Sequence, residues 1–142
     1  MKIVHLLAVV VMALISACST TRQPGLVPAS HGHGADVPVW VDGGYLAVGE
    51  EPIYRKANGR AAIVFTLDHD PETDNYMFPT MAFDFKTPTG AFTCSTKNPT
   101  TVVCAPNPSS SYPPASYPYW IKVVLRSNPT KEIRLDPFII TN

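Results

Sequence analysis

Charge is scarce and balanced in this chain: 11 Lys and Arg face 11 Asp and Glu, so the formal net charge is zero. No basic cluster stands out, and nucleic acid is therefore excluded as an electrostatic partner. Long apolar runs are missing as well. The longest, residues 6–15, is about half the ~20 residues that a membrane-spanning helix needs. There is no Gly-x-Ser-x-Gly elbow, no His-Glu-x-x-His, no phosphate-binding glycine loop and no dinucleotide fingerprint. Histidine is rare: beyond residue 17 only His31, His33 and His69 remain, few candidates for the base that nucleophilic catalysis requires. The carboxylates Glu50, Glu51 and those of residues 68–74 read as solvated turns rather than an acid–base pair. We expect no catalytic residue, no enzyme and no cofactor. Cysteine is also scarce, and its count of three is odd, so at least one thiol has no partner within the chain.

The odd cysteine has an address. Residues 1–17 carry Lys2, the apolar run 6–15, then the small residues Ser16 and Ala17, the three parts of an export signal. The tetrapeptide Ile15-Ser16-Ala17-Cys18 resembles the lipobox of bacterial lipoproteins. That resemblance covers the first eighteen residues and implies removal of residues 1–17 and lipidation of Cys18. Because Ser19 is not the aspartate that retains such proteins in the inner membrane, it further implies a lipid anchor in the outer membrane with the domain facing the periplasm. Two or more acyl chains hold a protein at a membrane far more firmly than one, and lipoproteins of this type carry three. Cys94 and Cys104 are then left in an oxidising compartment, where disulfides persist.

Removing 17 residues from 142 leaves 125, one domain's worth. Residues 18–36 are polar and small without apolar periodicity, as a flexible tether would be. Residues 37–142 form the domain, and all 15 prolines lie beyond residue 17, between apolar segments. Period-two alternation dominates there. In residues 81–86, Met81, Phe83 and Phe85 share one face. In residues 60–68, Ala61, Ile63, Phe65 and Leu67 share another, with Asn58-Gly59 before them as a hairpin signal. Residues 117–126 and 132–140 read as two strands joined around Asn128-Pro129. Shorter candidates are residues 37–41, 45–48 and 52–55. So many short strands between turn signals predict an all-β fold, a small antiparallel β-sandwich of the immunoglobulin-like kind, with a small barrel as second choice.

Cys94 and Cys104 lie symmetrically about Pro99, and Asn98-Pro99 favours a turn. As opposite members of a hairpin they come within disulfide range. A redox role fits less well, since the spacing is not Cys-x-x-Cys and no basic cluster lowers a thiol pKa. The order Glu51-Pro52-Ile53, Ile63-Val64-Phe65, Tyr76-Met77-Phe78-Pro79, Phe92-Thr93-Cys94 with Cys104, and Leu135-Asp136-Pro137 with Asn142 is similar to small exported β-domains of uncharacterised proteobacterial proteins. This resemblance supports the domain boundary and implies no site residues.

Three stretches remain as binding candidates. Residues 68–74 place Asp68, Asp70, Glu72 and Asp74 at alternate positions, as in a calcium loop, but Thr73 stands where glycine should be and Pro79 where the bidentate glutamate should be. His31 and His33 carry donors suited to copper or nickel, though two flexible ligands make a poor site. In residues 109–120, Tyr112, Tyr117, Tyr119 and Trp120 interleave with Pro113, Pro114 and Pro118. A stiff loop of this kind either presents aromatics to a partner or crosses between sheets with its rings tucked into the core edge. The expected function is a non-enzymatic cell-envelope lipoprotein whose β-domain binds a protein or polysaccharide partner, in an inhibitor or immunity role. The alternative is a metal-handling lipoprotein.

Overall fold

A computed structural model describes residues 35–87, 89–108 and 113–141. The signal segment, Cys18, His31, His33 and Tyr112 lie outside the described residues. Eleven strands follow in order: β1 (Ala35–Asp42), β2 (Tyr45–Val48), β3 (Ile53–Arg55), β4 (Ile63–Leu67), β5 (Tyr76–Met77), β6 (Phe83–Phe85), β7 (Phe92–Asn98), β8 (Thr101–Pro106), β9 (Ala115–Leu125), β10 (Asn128–Leu135) and β11 (Phe138–Thr141). A 3₁₀ turn, Thr73–Asn75, interrupts them. The expected β-sandwich with a disulfide-linked hairpin is present.

One sheet has the order β2-β1-β4-β8-β7. In the other, the long β9 is central: β10 and β11 line one side, β5 and β6 the other, and β3 pairs with the outer edge of β11. β2 lies beside β10 and β6 beside β7, so the two sheets approach each other at both seams. Most pairings are antiparallel, but β1 with β4 and β3 with β11 run parallel. The chain visits the second sheet as β3 before returning as β4, and such a crossover delivers a parallel neighbour.

The core follows from the alternation. Ile63, Phe65 and Leu67 are buried while Thr66 between them is exposed. Across the sandwich Tyr119, Ile121 and Val123 of β9 point inward, and the Tyr119 ring stacks on Phe83 at 4.5 Å between centroids. Removing a ring such as Phe65 from a core of this kind costs about 3–5 kcal/mol.

Five local expectations are corrected. Asn58 does adopt a positive φ of 56°, yet its turn joins β3 to β4 in different sheets and is not a hairpin. Met81 is 69% exposed and outside any strand, because β6 pairs with β9 only from Phe83 to Phe85. Residues 132–140 form two strands rather than one. Pro137, which has no N–H, breaks the segment, although its carbonyl accepts from Tyr119 N at 3.1 Å, so that β10 and β11 run on along β9 in one line. The turn into β10 lies at Arg126-Ser127, with Asn128 already in the strand opposite Leu125. β1 also begins two residues before the expected domain start, at Ala35.

Candidate functional site

Gly43 and Gly44 have φ of 57° and 81°, values open to glycine and costly for other residues, and they close a two-residue hairpin between β1 and β2. The Glu72 carboxylate holds that turn, accepting from Gly43 N at 3.1 Å and Gly44 N at 2.9 Å. At the other end of β2, Gly49 N donates to Pro38 O at 2.8 Å. A Cβ on Gly49 would lie 2.5 Å from the Pro38 ring, so glycine is what allows β2 this close to β1.

β2 is the outermost strand of its sheet. Beside it opens a groove of about 740 Å³, within the range of ligand sites. All four β2 residues, Tyr45 to Val48, line one wall, and Leu135, Phe138 and Ile140 of the second sheet line another. Trp40 and Pro52 add further apolar surface, while among the described residues the charged ones lining it are Asp42 and Glu51. Two large apolar side chains at this groove are exposed, Tyr45 at 79% and Phe138 at 43%.

The residues singled out from sequence fall elsewhere. Cys94 and Cys104 are directly opposed in the β7–β8 hairpin and bonded, with Cα atoms 3.9 Å apart. The turn is Pro99-Thr100, one position later than expected, and Asn98 Oδ1 accepts from Thr100 N at 2.9 Å.

The acidic segment is a structural clip. Asp70 Oδ1 accepts from the main-chain N–H groups of Glu72 and Thr73, and Asp70 Oδ2 accepts from Thr73 Oγ1 at 2.6 Å. Glu72 caps the β1–β2 turn as described, and Asp74 Oδ1 meets His69 Nδ1 at 3.3 Å in solvent. Asp68 N–H donates to Val39 O. Among the described residues no group of three or more His, Cys, Asp or Glu is arranged to hold a metal ion.

Of the aromatic stretch, residues 115–120 belong to β9, the strand expected over 117–126. Tyr119, expected as a contact residue, is fully buried, because the alternation along β9 points it inward with Ile121 and Val123. Its phenol has no hydrogen-bond partner among the described residues. Burial pushes its pKa well above the usual tyrosine value; the charges of Glu51 and Glu50 push the same way and Arg55 opposes them. Tyr117 is half-buried, packs edge-on to Phe92 and donates to Pro113 O at 3.3 Å. Trp120 faces outward, but the Arg134 guanidinium lies 4.9 Å and Lys122 Nζ 5.5 Å from its ring centroid. Glu132 bridges both cations at 2.9 Å, and their hydrogen bonds hold its carboxyl below the usual range, Lys122 contributing most.

Sequence reasoning missed Tyr45 and Phe138. The signal that could have found Phe138 is the outward face of β11, where Phe138 and Ile140 alternate with the buried Ile139 and Thr141. No family model and no curated protein matches this chain.

Proposed function

We propose that this protein is a non-enzymatic cell-envelope lipoprotein, anchored through a lipid on Cys18, whose β-sandwich binds a partner in the envelope in an inhibitor or immunity role. The observation that carries the binding part is the groove beside β2, an apolar cleft with Tyr45 and Phe138 exposed at its rim. Exposed aromatics around a concave apolar surface are the usual anchors of an interface, and water held against them is released on contact. The lipobox-like tetrapeptide ending at Cys18 supports the anchored location, and residues 19–34 supply reach from the membrane.

Two measurements test it. Photo-crosslinkers placed at Tyr45 and at Phe138 in living cells should trap one discrete envelope partner, while a crosslinker at the exposed Lys131 should trap none. Labelled palmitate should be incorporated by the wild-type chain and lost in Cys18→Ser. Crosslinks equal at all three positions would remove the groove from the reading, and an unlabelled wild-type chain would remove the anchor.

A further inference from the structure

We infer that the groove takes its partner as an extended peptide strand, added to the edge of β2 and carrying a basic residue at each end. This rests on the partner-binding reading above and names the chemistry of the partner, a protein segment rather than a polysaccharide.

Three observations lead there. Successive side chains of a strand point to opposite faces, so a cavity over one face touches alternate residues only. This groove touches four consecutive residues, Tyr45, Leu46, Ala47 and Val48, and therefore runs along the strand's edge.

The register then says what the edge offers. Gly49 donates to Pro38 O, and hydrogen-bonded pairs alternate along an antiparallel ladder. Given the pairing Val39↔Val48, Trp40↔Ala47, Val41↔Leu46 and Asp42↔Tyr45, the inward bonds belong to Ala47 and Tyr45. Leu46 and Val48 turn their N–H and C=O groups to the groove side. Neither has a strand partner there among the described residues, since β2 pairs with β1 alone and β10 lies beside it without a ladder. Leu46 and Val48 are 5% and 3% exposed. Main-chain groups at such sheltered positions call for a hydrogen-bond partner, and strand addition supplies one at each.

Charge sets the ends. Asp42 stands at the hairpin turn and Glu51 three residues past Val48, both exposed, with no cation lining the groove among the described residues. A strand with apolar side chains against Leu135, Phe138 and Ile140 and a Lys or Arg at each end complements this wall.

The test uses the purified full chain and three short synthetic peptides, all with valine at alternate positions. One is flanked by lysine, one by glutamate, and one is the lysine peptide with N-methylated main-chain amides. The amides of Leu46 and Val48 should exchange rapidly in the free chain and slowly with the lysine peptide. The glutamate peptide should bind roughly fivefold more weakly or worse, and the N-methylated one more than about tenfold more weakly. The surface double variant Asp42→Lys with Glu51→Lys should reverse the charge preference.

Equal binding of the N-methylated peptide would overturn strand addition, as would no binding of the lysine peptide. Leu46 and Val48 amides already protected in the free chain would overturn it too, showing the edge filled by the chain's own N-terminal residues or by a second copy. If the peptides fail while crosslinks at Tyr45 and Phe138 persist, this mode falls and the partner-binding reading stands. If both fail, that reading falls with it.

Discussion

The hydroxyl of Thr73 accepts the main-chain N–H of Val41 at 2.9 Å, across 32 positions of sequence. β4 ends at Leu67 while its neighbour β1 continues to Asp42, which leaves Val41 without a strand on the side away from β2. Asp68 N–H reaches Val39 O, and Thr73 then serves Val41. The acidic segment thus prolongs the sheet by side chains where the ladder has stopped.

Thr73→Val keeps the shape of a fully buried side chain and removes its oxygen. Leaving the buried Val41 N–H unpaired should cost about 1–3 kcal/mol, read as a lower denaturant midpoint, whereas Thr73→Ser should retain most of the stability. A larger loss in Thr73→Ser than in Thr73→Val would show that the methyl group, not the hydroxyl, matters.

Tyr119→Phe should leave stability at neutral pH unchanged or raise it, since the phenol it removes is buried without a hydrogen-bond partner among the described residues. The pH dependence has a definite sign. The unfolded chain releases this proton near pH 10, while in the fold the pKa is raised, chiefly by burial. Tyr119 therefore contributes its stability fully below pH 10 and loses it as the pH climbs above that value. Melting temperatures of wild type and Tyr119→Phe should diverge above pH 10, the wild type falling faster. Parallel curves would mean that Tyr119 ionises as readily folded as unfolded.

The Cys94–Cys104 bond closes a short loop and should contribute roughly 2–3 kcal/mol on the chain-entropy account. Non-reducing mass spectrometry of the purified protein should find both thiols bonded. Cys104 is fully buried and Cys94 half-buried. Cys104→Ser should consequently melt lower than Cys94→Ser, because only the former places a hydroxyl in the core; the reverse order would contradict this placement.

Tyr45→Ser should change stability by no more than about 0.5 kcal/mol, because its ring is mostly exposed, and Phe138→Ser, whose ring is 43% exposed, should cost more. They should still weaken crosslinking to the partner. Phe65→Ala, from the core, is the contrast at about 3–5 kcal/mol lost. A comparable loss in Tyr45→Ser would mean that this ring packs into the fold and is unavailable to a partner.

Much of the fold was legible in the chain, and the reason is local. Burial of one face imposes period two on a strand wherever it lies in the molecule, which is why Ile63, Phe65 and Leu67 announced β4. The meeting of Cys94 with Cys104 was legible as well, because a turn between them folds one arm onto the other; the one-position shift of that turn is absorbed by an irregularity between Thr96 and Asn98. Tyr119 fell both in the strand read over residues 117–126 and in a stretch whose Pro113, Pro114 and Pro118 signal a loop; the strand reading holds. A strand admits a proline where no ladder N–H is required, and Pro118 contributes its carbonyl, accepting from Lys86 N at 3.0 Å.

What the sequence alone determined is which segments extend, which side chains they bury and which cysteines meet. The tertiary structure decided which strands are neighbours. Asn58 adopts the left-handed conformation its sequence favours, but only packing places β3 and β4 in different sheets. The same holds for the groove. An edge is defined by the neighbour a strand does not have, and nothing in Tyr45, Leu46, Ala47 or Val48 encodes that absence. It arises because β1 fills one side of β2, and β10, held by its own ladder to β9, stops short of the other.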